Sequence, residues 1–176
     1  QDSIIKEYWA VCEKYPSEIA QMYKDKAGKW VEVSYREFRG RFECFGAGLL
    51  DFGVKRGDHV GIITDNRWEW LVANFAILGI GAADVPRGSD TMPDEARYIL
   101  AHAECTVTLA ENEEQLRKIL SQKKGLPLLK AVIVIDDAFS PSSFSAPTQG
   151  VSLLAFADIM EKGKKLLAKD PQAFQR

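Results

Sequence analysis

One pattern limits what this chain can become: short apolar runs alternate with helix-start signals. Four runs, HVGIIT (59–64), AADVP (82–86), TVTLA (106–110) and AVIVID (131–136), are apolar almost throughout and show little polar alternation. Strands of that kind are covered on both faces. Strand alternating with helix over this stretch implies crossover connections and a mostly parallel sheet. The expected fold is α/β, a mostly parallel sheet with helices on both faces.

The helix-start signals are four capping patterns: Ser34 with Glu37, Asn66 with Glu69, Thr91 with Asp94, and Asn112 with Gln115. In each, the first side chain can accept from an orphan amide while the second reaches back to the cap. Pro93 suits a first helical turn, where its missing N–H would be unpaired anyway. After Ser34, apolar residues at Tyr35, Phe38, Phe42, Phe45 and Leu49 keep helical spacing, and Gly53 ends the run. Upstream, IAQMYK and KWVEV flank Asp25–Gly28 and predict an N-terminal antiparallel β-hairpin, behind a leading helix over 3–14. Residues 139–150, rich in Ser and Pro, predict a surface loop. A final amphipathic helix is expected over 152–169, its lysines forming a solvated face rather than a membrane-binding one.

Composition removes several function classes. A chain of 176 residues can hide roughly 70% of its unfolded surface, so it needs no metal or disulfide to hold a core. Twenty-three basic residues against 25 acidic give a net charge of −2, without the basic footprint that nucleic-acid binding requires. Cys12, Cys44 and Cys105 form no CxxC pair, and His59 and His102 are the only histidines, so no zinc-ligand spacing exists. Small buried thiols in a reducing compartment are expected. The apolar stretch 71–85 is too short to span a bilayer, and the N-terminus lacks the pattern of a signal peptide. The expected location is the cytoplasm. Beginning at Gln1 instead of Met, the chain reads as a piece of a longer protein.

The search for chemistry ends in exclusions. Neither Gly46-Ala-Gly48 nor Gly79-Ile-Gly81 completes a dinucleotide fingerprint, and each sits in or after a helix, where packing and helix termination explain it. There is no GxxxxGK[ST] loop and no G-x-S-x-G elbow. Asp136 and Asp137 end a strand, where acidic pairs can hold Mg²⁺, but two carboxylates alone read as solvated loop residues. His102 has no Ser or Cys partner in view, and the four tryptophans read as core or interface, with Trp68 and Trp70 pointing in different directions. From the residues alone, this is an α/β domain without a catalytic constellation and without a metal site.

The order of the pieces nevertheless resembles the adenylate-forming superfamily. VSYREF (33–38) is similar to its first core motif, [TS]-Y-x-E-L, with Phe38 in place of Leu. Residues 46–86 resemble the approach to the second core motif, in which a Leu-x-x-Gly-Ala turn, here Leu78 to Ala82, enters a strand ending at Pro86. VPRGSDT and the residues following it, to Glu111, look most like long-chain acyl-CoA synthetases. The likeness spans about Trp30 to Met160 and implies the opening portion of a large N-terminal domain.

That resemblance implies a parent that joins a fatty acid to ATP, using Mg²⁺, and then passes the acyl group to coenzyme A. The family's Ser/Thr/Gly-rich phosphate loop and its C-terminal domain motifs do not occur in these 176 residues, so no catalytic residue carries over. The chain alone is expected to be inactive, with the remainder of the ligase as its partner; a homodimer and a membrane-peripheral parent stay open. Ligands of parallel sheets gather beyond the carboxyl ends of the strands. The substrate-side candidates are therefore Asn66, Arg87 and Asp90, with Asn66 also expected to cap its helix and Arg87 expected to meet a carboxylate of the absent part. Two alternatives stand beside this reading: another adenylate-forming acid–CoA ligase, or a free-standing module that docks a protein through its Trp-bearing surfaces.

Overall fold

In the computed structural model, which describes residues 4–175, five parallel strands lie at the centre: β3 (His59–Ile63), β4 (Ala83–Arg87), β5 (Val107–Ala110), β6 (Ala131–Val134) and β7 (Ser152–Ala155). Their order across the sheet is β4-β3-β5-β6-β7. From β3 the chain first steps to one side, to β4, and then crosses to the other side for β5 and every later strand. Ahead of the sheet come helix α1 (Ile4–Lys14) and the antiparallel hairpin β1 (Ile19–Lys24)–β2 (Trp30–Ser34). Residue 3, where the leading helix was expected to begin, lies outside the described residues.

Helices cover both faces, as the apolar runs demanded. One face carries α2 (Tyr35–Phe52), α3 (Trp68–Gly79) and α6 (Phe156–Lys169), packed on Val60, Ile62, Leu109 and Ile133. The other carries α4 (Pro93–His102) and α5 (Glu113–Ser121), packed on Ile63, Val132 and Val134. Successive strand residues point to opposite faces, so every residue of β5 and β6 is buried.

Helix α2 follows its sequence signals closely. The Ser34 hydroxyl accepts from the Glu37 amide at 3.3 Å, the Glu37 carboxylate accepts from the Ser34 amide at 2.8 Å, and Gly53 closes the helix at φ 106°. Its buried face presents Phe38, Phe42, Phe45 and Leu49. At its middle the packing admits no Cβ at some positions. Gly48 lies against the Ile159 carbonyl of α6, and Gly163 of α6 against the Cys44 carbonyl of α2. Beyond α6, the Phe174 ring fills a slot whose walls are Gly46 of α2 and Gly79 of α3. It is 2% exposed and meets Trp9 of α1 edge-on.

Three expectations need correction. Residues 152–155 form β7, paired in register with β6, so the last helix begins at Phe156 instead of 152. Asn66 does not cap α3: Arg67 is the cap residue, in extended conformation and without a side-chain bond. Nor does Thr91 cap α4, whose cap residue is Met92 at φ −67° and ψ 151°. The residue before a proline is pushed out of the helical region, so Pro93 sets the boundary one residue after Thr91. Asn112 does cap α5, accepting from the Gln115 amide at 3.1 Å. The loop over 139–150 is present, with one 3-10 turn at Pro141–Ser143.

Candidate functional site at the carboxyl ends of the strands

The reversal of strand order places a crevice beside β3, and the chain leaves β3, β4 and β5 at the same end of the sheet. Two adjoining concavities lie there. One, of about 670 Å³, is bounded by Thr64, Asn66, Pro86, Arg87 and Gly88. The other, an open groove of about 1110 Å³, runs between the hairpin residues Tyr23 and Lys24 and the start of α3. Asp65, Asn66 and Trp70 border both.

The loops around the smaller cleft are tied by hydrogen bonds that continue the sheet past its last ladder pair. The Thr64 amide donates to the Arg87 carbonyl at 3.0 Å, and the Glu111 amide to that of Ile63 at 3.0 Å. The Glu111 carboxylate accepts from the Asp65 amide at 2.8 Å and from the Thr64 hydroxyl at 3.2 Å. Asp65 in turn accepts from the Ser89 amide at 3.1 Å. Hydrogen bonds from Ser89, side chain first and backbone amide second, hold the Asp65 carboxyl below the ordinary carboxylate range. On the far side, the Lys118 ammonium donates to the carbonyls of Ser89 at 2.7 Å and Thr91 at 2.9 Å.

At the opening of α3, Arg67 grips the buried Glu69 carboxylate with two bonds of 2.7 and 2.8 Å. The fork geometry satisfies a charge that burial alone would penalise. The Glu69 hydrogen bond also raises the Arg67 guanidinium above its ordinary value. Trp68 stacks on Tyr23 of the hairpin at 5.7 Å, and the Arg41 guanidinium lies over the Trp68 ring, 4.8 Å from its centroid. Trp68 thus fastens the hairpin to the body, while Trp70 borders the cleft.

Of the three candidates from sequence, the fold brings two together. Asn66 and Arg87 are both exposed and line the same cleft. The Arg87 guanidinium donates to the carbonyl of Pro86 at 3.0 Å. Asp90 is exposed and stands behind Gly88, where a Cβ would lie 2.6 Å from its carboxylate. Sequence reasoning passed over Glu111 and Lys118. Glu111 carries a signal, an acid directly after a buried strand; Lys118 carries none, because only the fold brings α5 beside residues 89–91.

The other polar candidates are accounted for without chemistry. Asp136 accepts from the Ala138 amide at 3.1 Å, and Asp137 pairs with Lys26 at 3.7 Å in the open. His102 stacks on Tyr98 at 5.7 Å on the outer side of α4. Among the described residues, no three His, Cys, Asp or Glu side chains are grouped to hold a metal ion, and no helix is long and apolar enough to cross a membrane.

Comparison with known proteins places this geometry. The family model described as "AMP-binding enzyme" matches residues 8–171. Fatty acyl-CoA synthetase B of Dictyostelium discoideum is 32% identical over 174 residues, covering 96% of this chain and 25% of that protein. The long-chain-fatty-acid–CoA ligase FadD15 of Mycobacterium tuberculosis is 27% identical over 144 residues, covering 82% of this chain and 24% of its own length. The chain therefore spans about a quarter of the curated relatives it matches. Its fold is that of adenylation domains: the A domain of carboxylic acid reductase from Segniliparus rugosus, solved with AMP and a carboxylic acid, superposes with a TM-score of 0.75 over 91% of this chain and 30% of that one, at 17% identity. With the family match running from α1 to the residues just after α6, this chain belongs to the AMP-binding enzyme family.

Proposed function

We propose that this chain is the first α/β portion of an acid–CoA ligase that works through an acyl-adenylate, and that its acid is a long-chain fatty acid. The observation that carries the reading is the family match over 8–171, joined to relatives named as fatty acyl-CoA and long-chain-fatty-acid–CoA ligases. Such a ligase consumes ATP and coenzyme A, and Mg²⁺ would offset the phosphate charge. The residues described here do not fit ATP or Mg²⁺: no phosphate loop occurs in the sequence, and no metal-ligand group is formed among them. No chemical step is therefore assigned to this chain.

Its part in the reaction is to supply one wall of the site. Asn66 and Arg87 offer an exposed amide and an exposed cation at the rim of the sheet, with Asp90 behind Gly88. The rest of the ligase is the partner that closes over this rim. The test is fatty-acid-dependent ATP–pyrophosphate exchange. The 176-residue chain alone is expected to give none, and a ligase that carries it is expected to exchange with a long-chain acid. Exchange by the chain alone, or none by the ligase with any carboxylic acid, overturns the reading. Activity confined to aryl or short acids keeps the ligase and replaces the substrate.

A further inference from the structure

Residue Ser89 is held from two sides by opposite charges. Its N–H meets the Asp65 carboxylate at 3.1 Å, and its carbonyl meets the Lys118 ammonium at 2.7 Å. Lys118 spends a second proton on the Thr91 carbonyl at 2.9 Å, and Thr91 itself is buried. Among the described residues the segment has no ladder partner, and its one backbone closure is the Thr91 amide on the Gly88 carbonyl at 3.2 Å. Two carbonyls of a short connection, one of them in a buried residue, thus depend on a single ammonium carried by another helix. Charged donors make the stronger hydrogen bonds, and a half-buried carbonyl that loses its partner is costly. Arg87 sits two residues before this clamp, at the mouth of the cleft.

We propose that Lys118 is a positioning residue: from α5 it latches the β4–α4 connection against Asp65 and so fixes the course of residues 88–91, the cleft edge that follows Arg87. Lysine suits the task because its compact ammonium has three donors and reaches two diverging carbonyls. The Asp65 side of the clamp is itself anchored, since Glu111 at the end of β5 holds the Asp65 amide. The loops after β3, β4 and β5 are thereby coupled through one chain of bonds, Glu111 to Asp65 to Ser89 to Lys118. The consequence for a reaction rests on the ligase reading above; the latch itself does not.

The test compares Lys118→Met, which keeps the stem and removes the donors, with Lys118→Arg. Amide hydrogen exchange on this chain should quicken at least tenfold at Ser89 and Thr91 in Lys118→Met, while Leu109 and Ile133 in the central strands keep their wild-type rates. Lys118→Arg should restore most of the protection. The Trp70 indole resonance, a reporter in the cleft wall, should shift in Lys118→Met alone. In a ligase that carries the chain, Lys118→Met should raise the KM for ATP or for the acid at least fivefold with kcat within twofold.

Unchanged exchange at Ser89 and Thr91 overturns the latch. Faster exchange spread equally to Leu109 and Ile133 also overturns it, because Lys118 would then be serving global stability. A quickened loop with unchanged KM overturns the positioning role. A wild-type ligase without pyrophosphate exchange overturns the ligase reading only, and the latch is then decided by the exchange rates.

Discussion

Gly163 of α6 rests against the Cys44 carbonyl of α2 with no room between them for a methyl group. The contact is reciprocal along the crossing, since Gly48 of α2 meets the Ile159 carbonyl of α6 in the same way. Both obstacles are backbone, so neither can swing aside as a flexible side chain would. Gly163→Ala must therefore separate the two helices or bend one of them. Overpacking of this kind costs typically about 1–3 kcal/mol, and the upper end is expected here. Urea unfolding monitored by circular dichroism measures it; a variant within about 0.5 kcal/mol of the wild type would mean that the crossing is looser than described.

A second prediction concerns Phe174. Its ring fills the slot between Gly46 and Gly79, and removing such a buried ring costs about 3–5 kcal/mol. The atoms nearest to a methyl group on Gly79 all belong to that same ring. Gly79→Ala should thus destabilise the wild type but be nearly neutral, or favourable through helix propensity, in a Phe174→Ala background. Additive effects in this double-mutant cycle would show that the ring and the glycine do not share the slot.

Acid should loosen the start of α2 and the strand-end loops first. Glu37 and Asp65 both have carboxyl groups held below their ordinary range, Glu37 chiefly by the Ser34 backbone amide and Asp65 by Ser89. A depressed folded value means that the unfolded chain binds the proton more readily. The stabilisation is then complete above the ordinary carboxylate range and is lost as pH falls through the folded value. Glu37→Gln and Asp65→Asn should each flatten the fall of the urea midpoint between neutral and acid pH. Ser34→Ala should cost about 1 kcal/mol at neutral pH by removing the cap acceptor. An acid limb as steep in both carboxyl variants as in the wild type would contradict the assignment.

The thiols should be inert while the protein is folded. Burial pushes the Cys105 thiol up to about 12, and burial likewise raises those of Cys12 and Cys44. Thiolate is the reacting form. At pH 8 a disulfide reagent should therefore label Cys105 only as fast as the protein opens, and at once in denaturant. Rapid labelling of Cys105 in the native protein would show that it is not buried among Leu100, Leu126 and their neighbours.

How far the sequence revealed all this varied with the range of the forces involved. Helix α2 was legible from end to end because its cap, its apolar spacing and its Gly53 stop are local. Strands β3, β5 and β6 were legible because burial on both faces leaves an apolar run; β4, expected to be covered in the same way, stands at the sheet margin with none of its residues buried. Strand β7 was not legible, because its four residues continue smoothly into an amphipathic helix, and only pairing with β6 makes 152–155 extended. The caps at Asn66 and Thr91 failed for related reasons. Pro93 moved one helix start by a residue, and at the other the Glu69 carboxylate, which a cap at Asn66 would need, is taken by the cap residue Arg67. At the site, Asn66 and Arg87 could be reached by placing strand ends in order. Glu111, directly after β5, could be reached in the same way but was passed over; Lys118 could not, since its partners Ser89 and Thr91 lie 29 and 27 residues away in the chain.

The outermost strands of the sheet also differ in what they offer to another backbone. On one margin, β4 carries Pro86, which has no N–H, between Asp84 and Arg87. Proline and charge on an outer strand discourage a further ladder. On the opposite margin, β7 runs Ser152-Leu153-Leu154-Ala155 with neither. The sheet is thus polarised across its width: it is sealed where the chain turned back early and open where the chain arrived last, so any widening proceeds from β7 outward.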